Sequence, residues 1–329
     1  MKKRIVSLCT LGPELLTMMI KGNGCAEPDG FEVIGAYQLP DSEIIGLLKD
    51  ADIIFGDYTF VRSLTAGMAR AAKKVKLVQQ PSVGYQNIDV DAFTAAGIPV
   101  ANTAGANTTS VAEHVVLAAL CLLKNLIMAH GTTAAGEWRQ MDIGSFDLQG
   151  KSWGLVGMGR IGKAIAERLG PFGVSAAYFD PVRLSADEEK KFGIPFRDLE
   201  ELLKISDIVS IHCPLTDETR NMISENRIAL MKPGSFIINV ARGEVIDEGA
   251  LARALGEKRL AGAALDVFSE EPVGIRNPLL AMKDARMVLT PHIAGVTQES
   301  KMRIITAAIR NVVAVLNGGM PDFIINQIQ

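Results

Sequence analysis

The stretch that most narrows what this chain can fold into is Gly157-Met158-Gly159-Arg160-Ile161-Gly162. Before it lies a short apolar run, Trp153-Gly154-Leu155-Val156, suited to a buried parallel strand. After it, apolar residues at 161, 165 and 169 recur at helical spacing. Strand, glycines and helix in that order meet the needs of a dinucleotide. The first glycine permits the tight turn, the second lets a pyrophosphate approach the backbone, and the third lets helix and strand pack closely. The phosphates would then face a helix N-terminus, whose unpaired N–H groups and partial positive charge favour anions. A second apolar run over 174–179 ends at Asp180, 18 residues after Gly162, where an acidic side chain can accept hydrogen bonds from the adenosine ribose hydroxyls. The combination predicts a nicotinamide-dinucleotide site.

A chain of 329 residues is long for one core and predicts two domains. The first hundred residues alternate β-branched runs with helical patterns. Strands are predicted over 4–9, 31–37, 51–55, 77–80 and 100–101. Helices are predicted over 14–21, 41–49 (capped by Asp41), 64–72 and 90–96. Strand–helix alternation of this kind implies a parallel sheet covered on both faces. Without a glycine fingerprint of its own, this block is the substrate domain by elimination. Residues 107–129 read as one long helix, apolar on nearly all sides, which must be buried in a seam or against a second subunit. Residues 131–147 are more polar and predict an arm or a helix with a loop. From 152 to 291 alternation resumes, with further strands over 208–211, 236–240, 263–267 and 287–289 and helices over 199–204, 224–231 and 248–255. Six strands joined by right-handed crossovers give a doubly wound sheet. The amphipathic segment 300–316 is expected to return to the first domain, so that the chain passes between domains near 101–105 and 293–298 and defines a hinge and a cleft.

The fold class expected is therefore α/β: a Rossmann-type doubly wound NAD-binding domain over 103–295, including the helix 107–129, and a smaller flavodoxin-like substrate-binding domain over 1–102 and 296–329. The balance of 34 basic and 37 acidic side chains offers no basic field to nucleic acid or anionic lipid. Cys9, Cys25, Cys121 and Cys213 have neither CxxC nor metal-like spacing, and fit a reducing cytoplasm with no bound metal. The longest unbroken apolar run, 115–123, is too short for a membrane span, which takes roughly 20 residues.

Ligands of open α/β sheets lie beyond the carboxyl ends of the strands. Three polar residues follow predicted strands there: Arg242 after Asn239-Val240-Ala241, Glu271 after Leu265-Asp266-Val267-Phe268, and His292 after Thr290-Pro291. Oxidising a hydroxyl to a carbonyl removes a hydride and a proton. Imidazole titrates near neutral pH, so His292 can take or return that proton. A carboxylate bonded to it orients the ring and favours its protonated form. Arg242 offers a planar fork to a carboxylate or carbonyl oxygen. The other histidines fit packing better: His114 and His130 lie on the long helix, and His212 lies in Ser210-Ile211-His212-Cys213-Pro214. Cys213, without a paired base, reads as an apolar neighbour of the adenine rather than a nucleophile.

With these residues in view, the chain resembles the D-isomer-specific 2-hydroxyacid dehydrogenase family over nearly its whole length. The resemblance is carried by residues 81–89 (PSVGYQNID), 110–114 (SVAEH), Gly157–Gly162 with Asp180, 212–216 (HCPLT), 239–243 (NVARG), 265–268 (LDVF) and 291–295 (PHIAG). It implies Arg242 as substrate anchor, Glu271 as the partner of the histidine and His292 as acid/base. It implies substrate carboxylate binding by the N–H groups of Val83 and Gly84. Arg160 and Ile161 would meet the pyrophosphate and Asp180 the ribose. Cys213 and Pro214 would line the cofactor site, while Asp266, Gly295 and the backbone of Val240, Ala241 and Arg242 would serve the nicotinamide side. Similar enzymes are homodimers built on the counterpart of the long helix.

Departures narrow the substrate. Formate dehydrogenases carry Gln where Glu271 stands, and phosphonate dehydrogenases carry Lys where Val83 stands. Phosphoglycerate dehydrogenases have phosphate-binding arginines after the third strand, where this chain offers only Arg62. A small unphosphorylated 2-oxo acid such as glyoxylate or hydroxypyruvate is expected, running toward reduction. Asp180 favours NAD by repelling a 2′-phosphate, and Arg183 nearby could soften that preference. Two alternatives accompany this reading: phosphoglycerate dehydrogenase-type activity, and a non-catalytic NAD(H)-sensing interaction protein of the corepressor type.

Overall fold

A computed structural model describes residues 2–282 and 286–327. Residue 1 and residues 328–329, the outer ends of the expected substrate domain, fall outside them. The chain forms two units, one running to Asn107 and resuming at Gln298, the other comprising Thr108–Thr297.

The first unit begins β1 (Lys3–Ser7), α1 (Pro13–Gly22), β2 (Phe31–Gly35), α2 (Asp41–Leu48) and β3 (Ile53–Phe55). It continues through α3 (Ala66–Ala71), β4 (Leu77–Gln79), α4 (Val90–Ala95) and β5 (Val100–Ala101). The strands pair in parallel in the order β2-β1-β3-β4-β5, the flavodoxin-like order. Ile5, Val6, Ile54, Leu77 and Val78 have no exposed surface, as befits strands covered on both faces. Asp41 does not cap α2: Pro40 holds the N-cap position without a side-chain bond. Asp41 is instead the first helical residue, where its charge still complements the helix dipole. Thr65 caps α3 by accepting from the Met68 N–H.

The second unit opens with α5 (Thr108–Lys124) and α6 (Leu126–Ala134), followed by β6 (Ser152–Val156), α7 (Arg160–Leu169) and β7 (Ser175–Phe179). Next come α8 (Ala186–Phe192), α9 (Leu199–Ile205), β8 (Ile208–Ile211) and α10 (Glu225–Leu230). β9 (Ser235–Asn239), α11 (Glu248–Gly256), β10 (Leu260–Leu265) and β11 (Arg286–Leu289) complete it. All sheet pairs are parallel, in the order β11-β10-β9-β8-β6-β7. A single bridge from Tyr178 to Phe196 adds a residual strand outside β7. The strand order reverses between β6 and β8, the switch point at which doubly wound sheets bind ligands. The chain then forms α12 (Gln298–Leu316), whose Ala308, Ile309, Val312, Val313 and Leu316 join the core of the first unit beside Leu16 and Ile20 of α1.

The single helix expected over 107–129 is two helices. Asn125 takes a left-handed conformation, φ 51°, which asparagine tolerates better than most residues, and α6 leaves α5 at 61°. Among the described residues no single helix is long and apolar enough to cross a membrane. Helix α5 buries Val115, Ala118, Ala119, Leu122 and Leu123 against Trp153, Leu155 and Ile165. Helix α8 had no counterpart in the sequence reading. It has almost no apolar face and is held by a capping box in which Ser185 and Glu188 bond each other's backbone N–H.

Candidate active site

The glycines of residues 157–162 do three different jobs. Gly157 sits at φ +97°, and a Cβ there would meet the backbone of His212 and Cys213 at 2.9 Å. That contact brings the turn after β6 against the end of β8. A Cβ on Gly162 would lie 2.3 Å from the Gly157 carbonyl oxygen, so only glycine lets α7 start this close to its strand. At Gly159, by contrast, a Cβ would meet nothing within 4 Å. The middle glycine opens onto free space at the N-terminus of α7, where a pyrophosphate needs room. Arg160 and Ile161 form the first turn of that helix. The residues present thus fit a dinucleotide.

Asp180 follows β7 and turns back onto the glycine turn. Its Oδ2 accepts the Met158 N–H at 2.7 Å and its Oδ1 the Val182 N–H at 2.9 Å. Cys213 and Pro214 follow β8. Burial pushes the Cys213 thiol up to about 11, which keeps it protonated and unreactive at neutral pH. His212 is held by Ser210: the Trp153 Nε1–H donates to Ser210 Oγ at 2.7 Å, and that hydroxyl faces His212 Nε2 at 2.8 Å. Burial lowers the His212 imidazole to about 3, so it is a neutral wall residue.

The three polar residues expected at the strand ends come together through backbone contact. Asn239, 1% exposed, clamps the turn after β9: its Oδ1 accepts the Ala241 N–H at 3.0 Å and its Nδ2 donates to the Arg242 carbonyl at 2.9 Å. Val240 and Ala241 lie inside that clamp. Gly243 then presses on the segment after β10 so closely that a Cβ would fall 1.8 Å from the Phe268 carbonyl carbon. Arg242 is thereby set beside the loop carrying Glu271. Glu271 Oε1 accepts the Phe268 N–H at 3.0 Å, and its Oε2 lies 2.7 Å from His292 Nδ1. Partial burial would raise the Glu271 carboxyl. The His292 bond, the Phe268 N–H and the charges of His292 and Arg242 outweigh it and hold the group below its usual range. The described bond of the Arg242 guanidinium is to the Ala241 carbonyl, from Nη1 at 2.6 Å.

His292 takes a left-handed backbone conformation, φ 55°, which costs a non-glycine residue energy and must be held by its surroundings. Asp266, buried at 2% exposure, does this. Its Oδ1 accepts Thr290 Oγ1–H at 2.6 Å and the Ile293 N–H at 2.8 Å, its Oδ2 accepts the Ala294 N–H at 2.8 Å, and its carbonyl accepts the His292 N–H at 2.8 Å. The described bonds of this carboxylate serve the histidine loop, of which Gly295 is the next residue, whereas the family resemblance implied the nicotinamide side. Thr290 and Asn239 are positioning residues that the sequence reading missed. Asn239 opens the motif 239–243 and Thr290 immediately precedes the motif 291–295, but nothing in the sequence shows which backbone groups a short polar side chain will take.

Val83 and Gly84 lie in the first unit, in the loop after β4. The carbonyls of residues 82–84 are engaged: Thr103 N–H donates to Ser82 O at 3.1 Å, Asn102 Nδ2 to Val83 O at 2.8 Å, and Ser82 Oγ to Gly84 O at 2.7 Å. Among the described residues no acceptor takes the Val83 or Gly84 N–H, the state an anion-binding loop requires. Arg62 is committed elsewhere, with Nε on the Tyr37 carbonyl at 2.7 Å and Nη1 3.6 Å from Asp41.

The chain is similar to known proteins along most of its length. A family profile described as "D-isomer specific 2-hydroxyacid dehydrogenase, NAD binding domain" matches residues 116–294. The glyoxylate reductase of Aeropyrum pernix is 38% identical over 305 residues, covering 90% of this chain and 89% of the relative. That of Thermococcus litoralis is 38% identical over 323 residues, covering 95% and 96%. The crystal structure of a glyoxylate reductase from Paecilomyes thermophila superposes with a TM-score of 0.86 at 26% identity over 98% of each chain. By profile, by identity along the chain and by fold, this protein belongs to the D-isomer-specific 2-hydroxyacid dehydrogenase family and carries its NAD-binding domain.

Proposed function

We propose that the protein reduces a small, unphosphorylated 2-oxo acid of the glyoxylate or hydroxypyruvate type to the D-2-hydroxy acid with NADH, using His292, Glu271 and Arg242. The observation that carries the reading is the 2.7 Å contact of His292 Nδ1 with Glu271 Oε2, beyond the strand ends of the sheet that bears the glycine turn. A nicotinamide held there would supply the hydride for the carbonyl carbon. With Nδ1–H donating to Glu271, Nε2 of the imidazolium is the nitrogen left to give its proton to the carbonyl oxygen. Glu271 stabilises the charged ring before transfer and fixes its orientation. Arg242 polarises the carbonyl and grips the carboxylate, and in the first unit the open N–H groups of Val83 and Gly84 are of the kind that binds such an anion. Asp180 accepts from the ribose, while the first turn of α7 with Arg160 receives the pyrophosphate. Commitment of Arg62 to Tyr37 and Asp41 favours substrates without a phosphate. The relatives' activity on glyoxylate supports the same class. Free thiols at Cys9, Cys25, Cys121 and Cys213 support a cytoplasmic enzyme, and apolar surface on α5 and α6 supports a homodimer.

The test is a panel of glyoxylate, hydroxypyruvate, pyruvate and 3-phosphohydroxypyruvate with NADH, read as loss of nicotinamide absorbance. Glyoxylate or hydroxypyruvate should be turned over with the highest kcat/KM. Preference for the phosphorylated acid, or binding of NADH with no turnover of any acid, overturns the proposal.

A further inference from the structure

Cofactor preference in this fold is decided where the second strand of the nucleotide half ends, and there the chain places two opposite charges. Asp180 ends β7, and Arg183 is the single cation of residues 180–185. A guanidinium there is the group that accommodates a 2′-phosphate in NADP-binding sheets of this kind. Here it is already taken. Arg183 Nε donates to Glu189 Oε1 at 2.8 Å and Nη2 to Oε2 at 3.1 Å, a two-point fork with the geometry that makes arginine–carboxylate pairs specific. Its guanidinium carbon lies over the Phe196 ring, 5.3 Å from the centroid.

Glu189 is not a loose surface partner. Its side chain is 17% exposed while that of Arg183 is 64% exposed. Its Oε1 also accepts the Tyr178 hydroxyl proton at 2.8 Å, and that hydroxyl oxygen accepts the Leu184 N–H at 2.9 Å. Tyr178 is fully buried in β7. The sheet, the loop after it and the helix α8 are thus tied together by one carboxylate, with the cation at the end of the chain of bonds.

We propose that Glu189 is a cofactor-selectivity residue: it withholds Arg183 from the nucleotide site, so that adenosine with a free 2′-hydroxyl is preferred over its 2′-phosphate. Asp180 repels the extra phosphate, and Glu189 removes the cation that would compensate. Glu189 acts through Arg183 and is a positioning residue. The inference rests on the reading of Asp180 at the ribose.

Calorimetric titration of the full chain with 5′-AMP and with adenosine 2′,5′-bisphosphate tests it without turnover. Glu189→Gln should tighten the bisphosphate by about tenfold, the scale of one charge-assisted pair, and leave 5′-AMP within about twofold. Adding Arg183→Ala to that variant should cancel the gain. Arg183→Ala alone, which does not depend on the fold tolerating a change at 189, should leave both ligands unchanged because the guanidinium is already sequestered. A bisphosphate affinity unmoved in Glu189→Gln, a gain that survives loss of Arg183, or a large drop in Arg183→Ala alone overturns the proposal while the ribose reading stands. Failure of the parent protein to bind 5′-AMP removes that reading, and this inference with it.

Discussion

At the scale of single residues, the site depends on a histidine in an unfavourable backbone conformation and on the buried acid that holds it there. His292→Ala removes the proposed proton carrier without touching the glycine turn. Its kcat should fall by roughly 10²–10⁴, with NADH affinity, read by fluorescence titration, within about twofold. An alanine variant that keeps the parent's rate would assign the proton to another group. Asp266→Asn replaces an oxygen that accepts the Ala294 N–H, or one that accepts Thr290 and Ile293, with a donor. A cost of about 1–3 kcal/mol in denaturant unfolding is expected. His212 supplies a test in pH. Its imidazole is lowered by burial to about 3, against ~6.5 for a free side chain. Between those values the unfolded chain binds a proton that the folded chain does not. Stability therefore falls as pH drops through that window, by up to ~1.4 kcal/mol per pH unit from this group. His212→Gln should lose one proton's worth of that slope between about pH 6 and pH 4; an unchanged slope would mean that the folded protein protonates the ring. Arg242, Glu271 and His292 were legible in the sequence because each follows a strand that reads clearly. The work of Asp266, Asn239 and Thr290 was not, because it consists of bonds to the backbone of loops, whose course no pattern of side chains encodes.

At the scale of elements, the glycine turn separates packing from binding within six residues. Gly162→Ala would drive a methyl group to 2.3 Å from the Gly157 carbonyl oxygen, and backbone cannot swing aside as a flexible side chain can. Loss of about 1–3 kcal/mol of stability is expected, with weaker NADH binding because the start of α7 must move. Gly159→Ala meets nothing within 4 Å and should change stability by less than about 0.5 kcal/mol, yet weaken NADH by tenfold or more if the phosphates pass over it. Equal NADH affinity in parent and Gly159→Ala would place the pyrophosphate elsewhere. The strands were legible because buried parallel strands are runs of Ile, Val and Leu. Helix α8 was not, since a capping box with charged neighbours leaves no apolar period to find. The break at Asn125 escaped for the opposite reason: apolar residues continue from α5 into α6, and the pattern carries no mark of the 61° bend.

At the scale of the whole molecule, both parallel sheets could be anticipated from strand–helix alternation, whereas the residues themselves pointed to a second subunit only through excess apolarity. That excess can now be located. Helix α5 buries one side in its own unit yet leaves Leu117 55% exposed, and α6 has no buried residue, with Ile127 60% exposed. Trp138 and Met141, in the segment after α6, are 83% and 89% exposed. A bent helix pair without a buried second face does not form stably in water by propensity alone, and the apolar side chains that it leaves exposed are the expected interface. A second copy is the partner that is always present, and a two-fold axis lets one self-complementary patch cover itself. Light scattering should therefore give twice the 35.3 kDa of the single chain. Leu117→Asp combined with Ile127→Asp places two charges in that patch without touching any residue of the glycine turn or the histidine loop. The double variant should shift the mass to that of one chain at micromolar concentration while the far-ultraviolet circular dichroism is retained. A parent protein of single-chain mass would rule out the dimer, and a double variant that keeps the doubled mass would place its interface away from α5 and α6.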